Sequence, residues 1–282
     1  MIFNFGLFIF AATFNDAVTA YNDCNIRTSV VNAMLLTYQL IENPAVNSTE
    51  VMHKGLSENF WTVVDTSLQI KTGKHVDGKF TAFKSVVVAS NQDYIIFAFP
   101  GTSDWKDVLT DAKFLPKNTG IDGAYAHMGF ADAAESFRQQ MEQKISALQS
   151  NKKKQVIFTG HSLGGANAAM CAVNCLDYFR KLYKRTNLSN NDGQIILITM
   201  GQPRVWCSDY FSRALRMSQI LRLVARGITG RADIVTVLPP GYCEYGPSRT
   251  IRMPFSIFNP FSNAVLHSSD KYAEQILEDE YC

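Results

Sequence analysis

Apolar residues recur along this chain with two periods, and the switches between them mark its elements. In residues 28–42 the apolar positions Val30, Val31, Met34, Leu35, Tyr38 and Ile41 fall at helical spacing, and Asn43-Pro44 ends the run. Residues 60–64 read as a strand. Residues 79–90, rich in β-branched side chains and Phe, read as a second, with Asn91-Gln92-Asp93 as its turn. Residues 94–99, YIIFAF, are apolar on both faces, which predicts a strand covered on both sides. Residues 130–148 place Phe130, Ala133, Ala134, Phe137, Met141, Ile145 and Leu148 on one helical face. Residues 156–159 predict another strand, followed by an Ala-rich helix to about Leu182. Residues 194–200, QIILITM, predict a buried strand, residues 210–216 a short helix and residues 220–224 a further strand. Ser268 or Ser269 opens a last helix toward Leu277. Strands alternating with helices predict a mostly parallel α/β sheet flanked by helices.

Composition narrows this only a little. The 282 residues suffice for one large domain, and no repeat, low-complexity tract or linker divides them. A net charge of +2 gives no argument for nucleic acid, and Lys152-Lys153-Lys154 reads as a solvated loop. Residues 1–20 have an apolar core from Ile2 to Phe14 and small residues Val18 and Ala20, the pattern of a secretory signal peptide cut ahead of Tyr21. The run is short for a membrane span, and its n-region lacks Lys and Arg. The expectation is a single domain over residues 21–282, secreted or held in a secretory or digestive lumen, with no transmembrane span after cleavage. All six cysteines follow the cut, an even count compatible with disulfides but silent on connectivity. Cys171 and Cys175, at i and i+4 on one helix, read as buried free thiols. No Cys/His spacing resembles a zinc site, and neither metal nor organic cofactor is expected. Asn47-Ser48-Thr49 and Asn187-Leu188-Ser189 are glycosylation sequons.

Chemistry enters at Gly160-His161-Ser162-Leu163-Gly164, a G-x-S-x-G turn between a predicted strand and helix. Such a pattern arises by chance in roughly one chain of this length in ten at average Gly and Ser usage. Its context matters more. A serine there has its hydroxyl raised over the sheet end, facing the first amides of the next helix. Serine needs a base, and the base an orienting carboxylate. In sheets of this kind the chain order is Ser, acid, His. Of His53, His75, His127, His161 and His267, His267 alone follows Ser162. Of the aspartates between them, Asp177 lies inside a helix, Asp192 in a polar loop and Asp209 at a helix start. Asp233 follows a strand at the serine's end of the sheet, and is the expected acid; the competing role is a turn-forming aspartate. The oxyanion donors expected are the amide of Leu163 and, after the earlier strand, Thr102. Beyond it, Trp105, Val108 and Leu109 set large apolar groups among charges, either as a short amphipathic lid or as a docked surface helix.

The chain resembles the fungal-type class 3 lipases. The matching pieces are FPGTSDWKDVLTDAKF (99–114), AHMGF (126–130), VIFTGHSLGGANAAM (156–170), TMGQPRVW (199–206), ADIVTVLPP (232–240) and HSSDKY (267–272). The resemblance implies an α/β-hydrolase fold with a short lid, a Ser162-Asp233-His267 triad and an oxyanion hole at Thr102 and Leu163. It implies a secreted esterase, foremost a triacylglycerol lipase working at a lipid–water interface, with residues 103–109 as lid. Phospholipase A1 or feruloyl-type esterase activity is the nearest alternative; a catalytically silent lipid-binding relative is an alternative of another class, and a serine peptidase a third. Cys24 and Cys282 match a family disulfide, and Cys207 with Cys243 is a second candidate pair. Pro100 stands where the family usually has Arg, and Trp206-Cys207 where it has Gly-Asn.

Overall fold

The computed structural model of the chain describes residues 15–45, 61–76, 79–102, 116–119, 125–149, 154–182, 195–206, 219–227, 230–244, 246–253 and 266–278. Helix α1 (Asn15–Asn22) turns at Asp23 into α2 (Cys24–Glu42). The Asp23 carboxylate accepts from the amides of Asn25 and Ile26 and so caps α2. Then come β1 (Thr62–Asp65), β2 (Gln69–Val76), β3 (Lys79–Ser85), β4 (Val87–Ser90) and β5 (Tyr94–Phe99). The short strands β6 (Pro116–Asn118) and β7 (Tyr125–His127) precede α3 (Met128–Leu148), β8 (Gln155–His161) and α4 (Leu163–Leu182). The rest is β9 (Ile195–Met200), β10 (Gln219–Arg226), a 3₁₀ turn (Ile234–Val237), β11 (Ser248–Arg252) and α5 (Ser269–Leu277).

Among the described residues, seven strands form one sheet in the order β1-β4-β5-β8-β9-β10-β11. From β5 to β11 neighbours run parallel; β4 and β1 are antiparallel at one edge. Side chains of the central strands alternate between two cores. Ile95, Phe97, Phe99, Val156, Phe158, Ile195 and Leu197 face one, with residues of α3 and α4. Ile96, Ala98, Ile157, Ile196 and Ile198 face the other, with residues of α1, α2 and α5. This is why YIIFAF carries no polar face. Phe137 of α3 meets Phe97 and Phe99 edge-on at ring-centroid distances of 6.4 and 5.5 Å, locking that helix to the sheet. Helix α4 is buried on most sides, and its run of alanines lets it lie close to the strands. Among the described residues no helix is long and apolar enough to cross a membrane.

Residues 79–90 do not form the single strand that their composition suggests. The chain breaks at Val86, whose amide donates to the Leu68 carbonyl at 2.8 Å. Before the break β3 pairs with β2 in a separate two-stranded sheet, and after it β4 joins the main sheet. Strands β2 and β11 carry little apolar pattern, because each lies at an edge; in β11 only Ile251 is buried. Cys171 and Cys175 are free, buried thiols, and burial pushes both thiol pKa values up. Cys24 is disulfide-bonded. The Cys207–Cys243 pairing is corrected, because Cys243 is a free, exposed thiol. Its partner in an isolated antiparallel bridge is Trp206, whose carbonyl accepts from the Cys243 amide at 2.7 Å. That bridge sets Cys243 opposite Trp206. The leader's apolar core, residues 210–216, Asn47, Asn187, Cys207 and Cys282 lie outside the described residues.

Candidate active site

Strand β8 delivers Ser162 at its C-terminal end, and α4 starts at the next residue. Ser162 has φ 57°, and among the described residues it is the one non-glycine with positive φ. A left-handed serine costs on the order of 1–2 kcal/mol, so the surroundings must hold it. Two contacts do so. The Ser162 amide donates to the Met200 carbonyl of β9 at 2.9 Å, and the Ser162 carbonyl accepts from the Gly165 amide at 3.0 Å. The close packing behind the elbow requires Gly164: a Cβ there would sit 2.2 Å from the Phe99 carbonyl oxygen. Helix α4 thereby rests directly on the end of β5.

The three residues singled out by chain order meet at this point. Asp233 follows β10, its amide bonded to the Ala225 carbonyl at 2.9 Å, and His267 lies just ahead of α5. His267 Nδ1 is 2.7 Å from Asp233 Oδ2, and His267 Nε2 is 2.7 Å from Ser162 Oγ. All three side chains are buried. A carboxylate can only accept, so Nδ1 carries the proton and donates to Asp233. Nε2 then presents its lone pair, and the Ser162 hydroxyl donates to it. The arrangement is a serine polarised for deprotonation by an imidazole whose orientation and tautomer a buried carboxylate fixes.

Asp233 also caps the 3₁₀ turn. Its Oδ1 accepts from the Val235 amide at 3.0 Å, while Oδ2 receives His267 and the Tyr272 hydroxyl, the latter at 3.0 Å. Tyr272 in turn accepts from the Ala225 amide at 2.7 Å. Gly201, at φ 56°, closes the space over the pair, since a Cβ there would lie 2.8 Å from Asp233 Oδ2 and 3.2 Å from His267 Nδ1. The His161 ring lies against the His267 ring, tilted by 34° with centroids 4.7 Å apart, and the Tyr38 hydroxyl is 2.8 Å from His161 Nδ1. Burial, reinforced by His267, holds the His161 pKa well below the usual imidazole value. His161 thus stays neutral, and His267 can take a proton without facing a second cation.

Leu163 is the first residue of α4, so its amide has no carbonyl partner within the helix. Thr102 follows β5 on the loop that Gly164 touches. Trp105, Val108 and Leu109 lie outside the described residues. Tyr272, Tyr38 and Gly201 escaped the sequence reading. Tyr272 faces inward on α5, and no local sequence pattern marks its part in the site.

An open, mostly parallel sheet covered by helices on both faces, with serine on the elbow between a central strand and the next helix, defines the α/β-hydrolase class. Residues 96–242, just over half of the chain, match the family described as Lipase (class 3), and the chain belongs to that family. A lipase of Rhizomucor miehei is 28% identical over 158 residues, which are 55% of this chain and 40% of that protein. A lipase of Rhizopus oryzae is 29% identical over 157 residues, 52% of this chain and 37% of that one. The chain thus spans about two fifths of the length of the curated relatives it matches. Among solved structures, the Rhizomucor miehei triacylglyceride lipase shares the fold with a TM-score of 0.57 at 21% identity, covering 86% of this chain and 81% of its own. A triacylglycerol lipase whose catalytic centre is described as a serine protease triad gives 0.55 at 22% identity, covering 83% of this chain and 78% of its own.

Proposed function

We propose that this protein is a serine carboxylic-ester hydrolase and, within that class, a lipase acting on triacylglycerol-type esters at a lipid–water surface. The observation that carries the reading is the hydrogen-bonded chain from Ser162 Oγ through His267 to Asp233, 2.7 Å at each link. His267 takes the Ser162 proton as Oγ attacks the ester carbonyl. The amides of Thr102 and Leu163 receive the oxyanion. His267 passes the proton to the leaving alcohol, an acyl-enzyme forms on Ser162, and water activated by the same imidazole releases the fatty acid. No step asks for a metal or an organic cofactor.

Membership of the class 3 lipases supports an ester substrate. The apolar surface beside the acid supports a lipid one: Ile234 and Val237, on the turn that Asp233 caps, are 38% and 40% exposed. The leader-like N-terminus supports a secreted form of this reading. Ser162→Ala is expected to abolish hydrolysis of a soluble nitrophenyl ester while circular dichroism stays unchanged. Retained turnover in that variant would remove the mechanism.

A further inference from the structure

At residues 83 and 84 of strand β3 the ordinary burial pattern is reversed. Phe83 is 58% exposed, while its neighbour Lys84 is half-buried and turned inward. A charged side chain facing in beside an aromatic facing out is costly unless the charge finds a partner. The Lys84 ammonium donates to the Gly101 carbonyl at 2.7 Å. Gly101 belongs to the loop after β5 that supplies Thr102. On its other side this loop is packed tight, since a Cβ on Gly101 would lie 2.1 Å from the Tyr38 hydroxyl and 2.9 Å from the His161 carbonyl oxygen.

The carbonyl of Gly101 and the amide of Thr102 are the two ends of one peptide unit. That unit is planar and trans, so its C=O and N–H point in opposite directions. A cation gripping the oxygen end therefore sets the direction of the N–H end. It also draws electron density toward the oxygen, which makes the N–H a stronger donor. We infer that Lys84 is a positioning residue of the oxyanion hole, holding and polarising the Gly101–Thr102 peptide so that the Thr102 amide stabilises developing negative charge. This inference rests on the hydrolase reading above. Lys84 itself touches neither Ser162 nor substrate in this scheme; it acts through the peptide.

The test compares wild type, Lys84→Met and Lys84→Arg in the full chain on a soluble nitrophenyl ester, with Ser162→Ala alongside. Removing an oxyanion donor outright costs about 10²–10³ in kcat; loosening one should cost about tenfold to a hundredfold in Lys84→Met, with KM moved by no more than about twofold. Lys84→Arg, which keeps a charged donor, should recover most of the rate. An alkylboronic acid, which binds the serine as a tetrahedral anion, should lose affinity in Lys84→Met by a similar factor. Unchanged kcat and unchanged boronate affinity in a folded Lys84→Met protein would overturn the inference. Should Lys84→Met fail to fold, Lys84→Gln is the milder variant. Its Thr102 amide proton should move upfield in the ¹H–¹⁵N spectrum, and an unmoved resonance overturns the inference equally. An active Ser162→Ala would instead remove the hydrolase reading, whereas an inactive Ser162→Ala beside a fully active Lys84→Met removes only the role of Lys84.

Discussion

Asp233 serves two structures with one carboxylate. Oδ1 caps the turn through the Val235 amide, and Oδ2 receives His267 and Tyr272. In the sequence the turn-forming aspartate and the orienting acid were rival readings; the two oxygens let one residue be both. Asp233→Asn should lower kcat about 10⁴-fold, by presenting His267 with the wrong tautomer while keeping the cap. Tyr272→Phe should cost about 1–3 kcal/mol of stability, read by urea unfolding, because it strands the Ala225 amide and takes a donor from Asp233. Ser162, His267 and Asp233 were legible because chain order leaves so few choices. Tyr272 was not, because its bond to Asp233 spans 39 positions without any local pattern. At His127, which caps α3 by accepting from the Gly129 amide, burial brings the pKa down to about 4. The folded chain refuses a proton that the unfolded chain accepts near 6.5. Its contribution is therefore complete above pH 6.5 and lost as pH falls toward 4, with ~2 kcal/mol gone by pH 5. His161 acts in the same direction. In His127→Gln the difference in urea-unfolding free energy between pH 7 and pH 5 should shrink by about that amount; an unchanged difference would show that His127 is not the group responsible.

Elements were readable where their side chains face a core and unreadable where they do not. The apolar runs of β5, β8 and β9 and the single apolar face of α3 are imprints of the two cores. Strands β2 and β11 lie at sheet edges and have little to imprint. Residues 79–90 misled because β propensity cannot say which sheet a strand joins, and the Val86 break is set by a bond to Leu68. The join between α4 and β5 depends on Gly164, where an added methyl would strike backbone rather than a movable side chain. Gly164→Ala should separate the elbow from the Gly101–Thr102 loop. It is expected to lower both the urea midpoint and kcat. Phe137→Ala, removing the ring wedged against Phe97 and Phe99, should cost about 3–5 kcal/mol of stability while leaving the KM of the remaining folded enzyme nearly unchanged.

At the scale of the molecule, fold class and site topology follow from the same fact. Parallel strands with helices on both faces bring Ser162, Thr102 and Asp233 to one end of the sheet. Substrate choice is written in surfaces, and sequence periodicity says little about surfaces. The exposed Ile234 and Val237 are the observation on which the proposed lipid preference rests. Emulsified triacylglycerol should be hydrolysed faster per active site than a soluble short-chain ester, and a chain-length series should rise rather than fall. A flat series, with no gain at the emulsion surface, would count against the lipid assignment and leave the ester chemistry standing.

His267 lies 105 positions beyond Ser162, on the chain leading into α5. During synthesis the elbow therefore exists well before its base does. A growing chain that has passed the serine holds an alcohol no more reactive than any other, and it stays so until β10, the Asp233 turn and the approach to α5 have all been made. On the reading proposed above, hydrolytic power comes only with His267, after the elbow, β10 and the Asp233 turn have been laid down. For a chain with the proposed esterase activity, made inside a cell bounded by lipid, that order of residues acts as a delay built into birth.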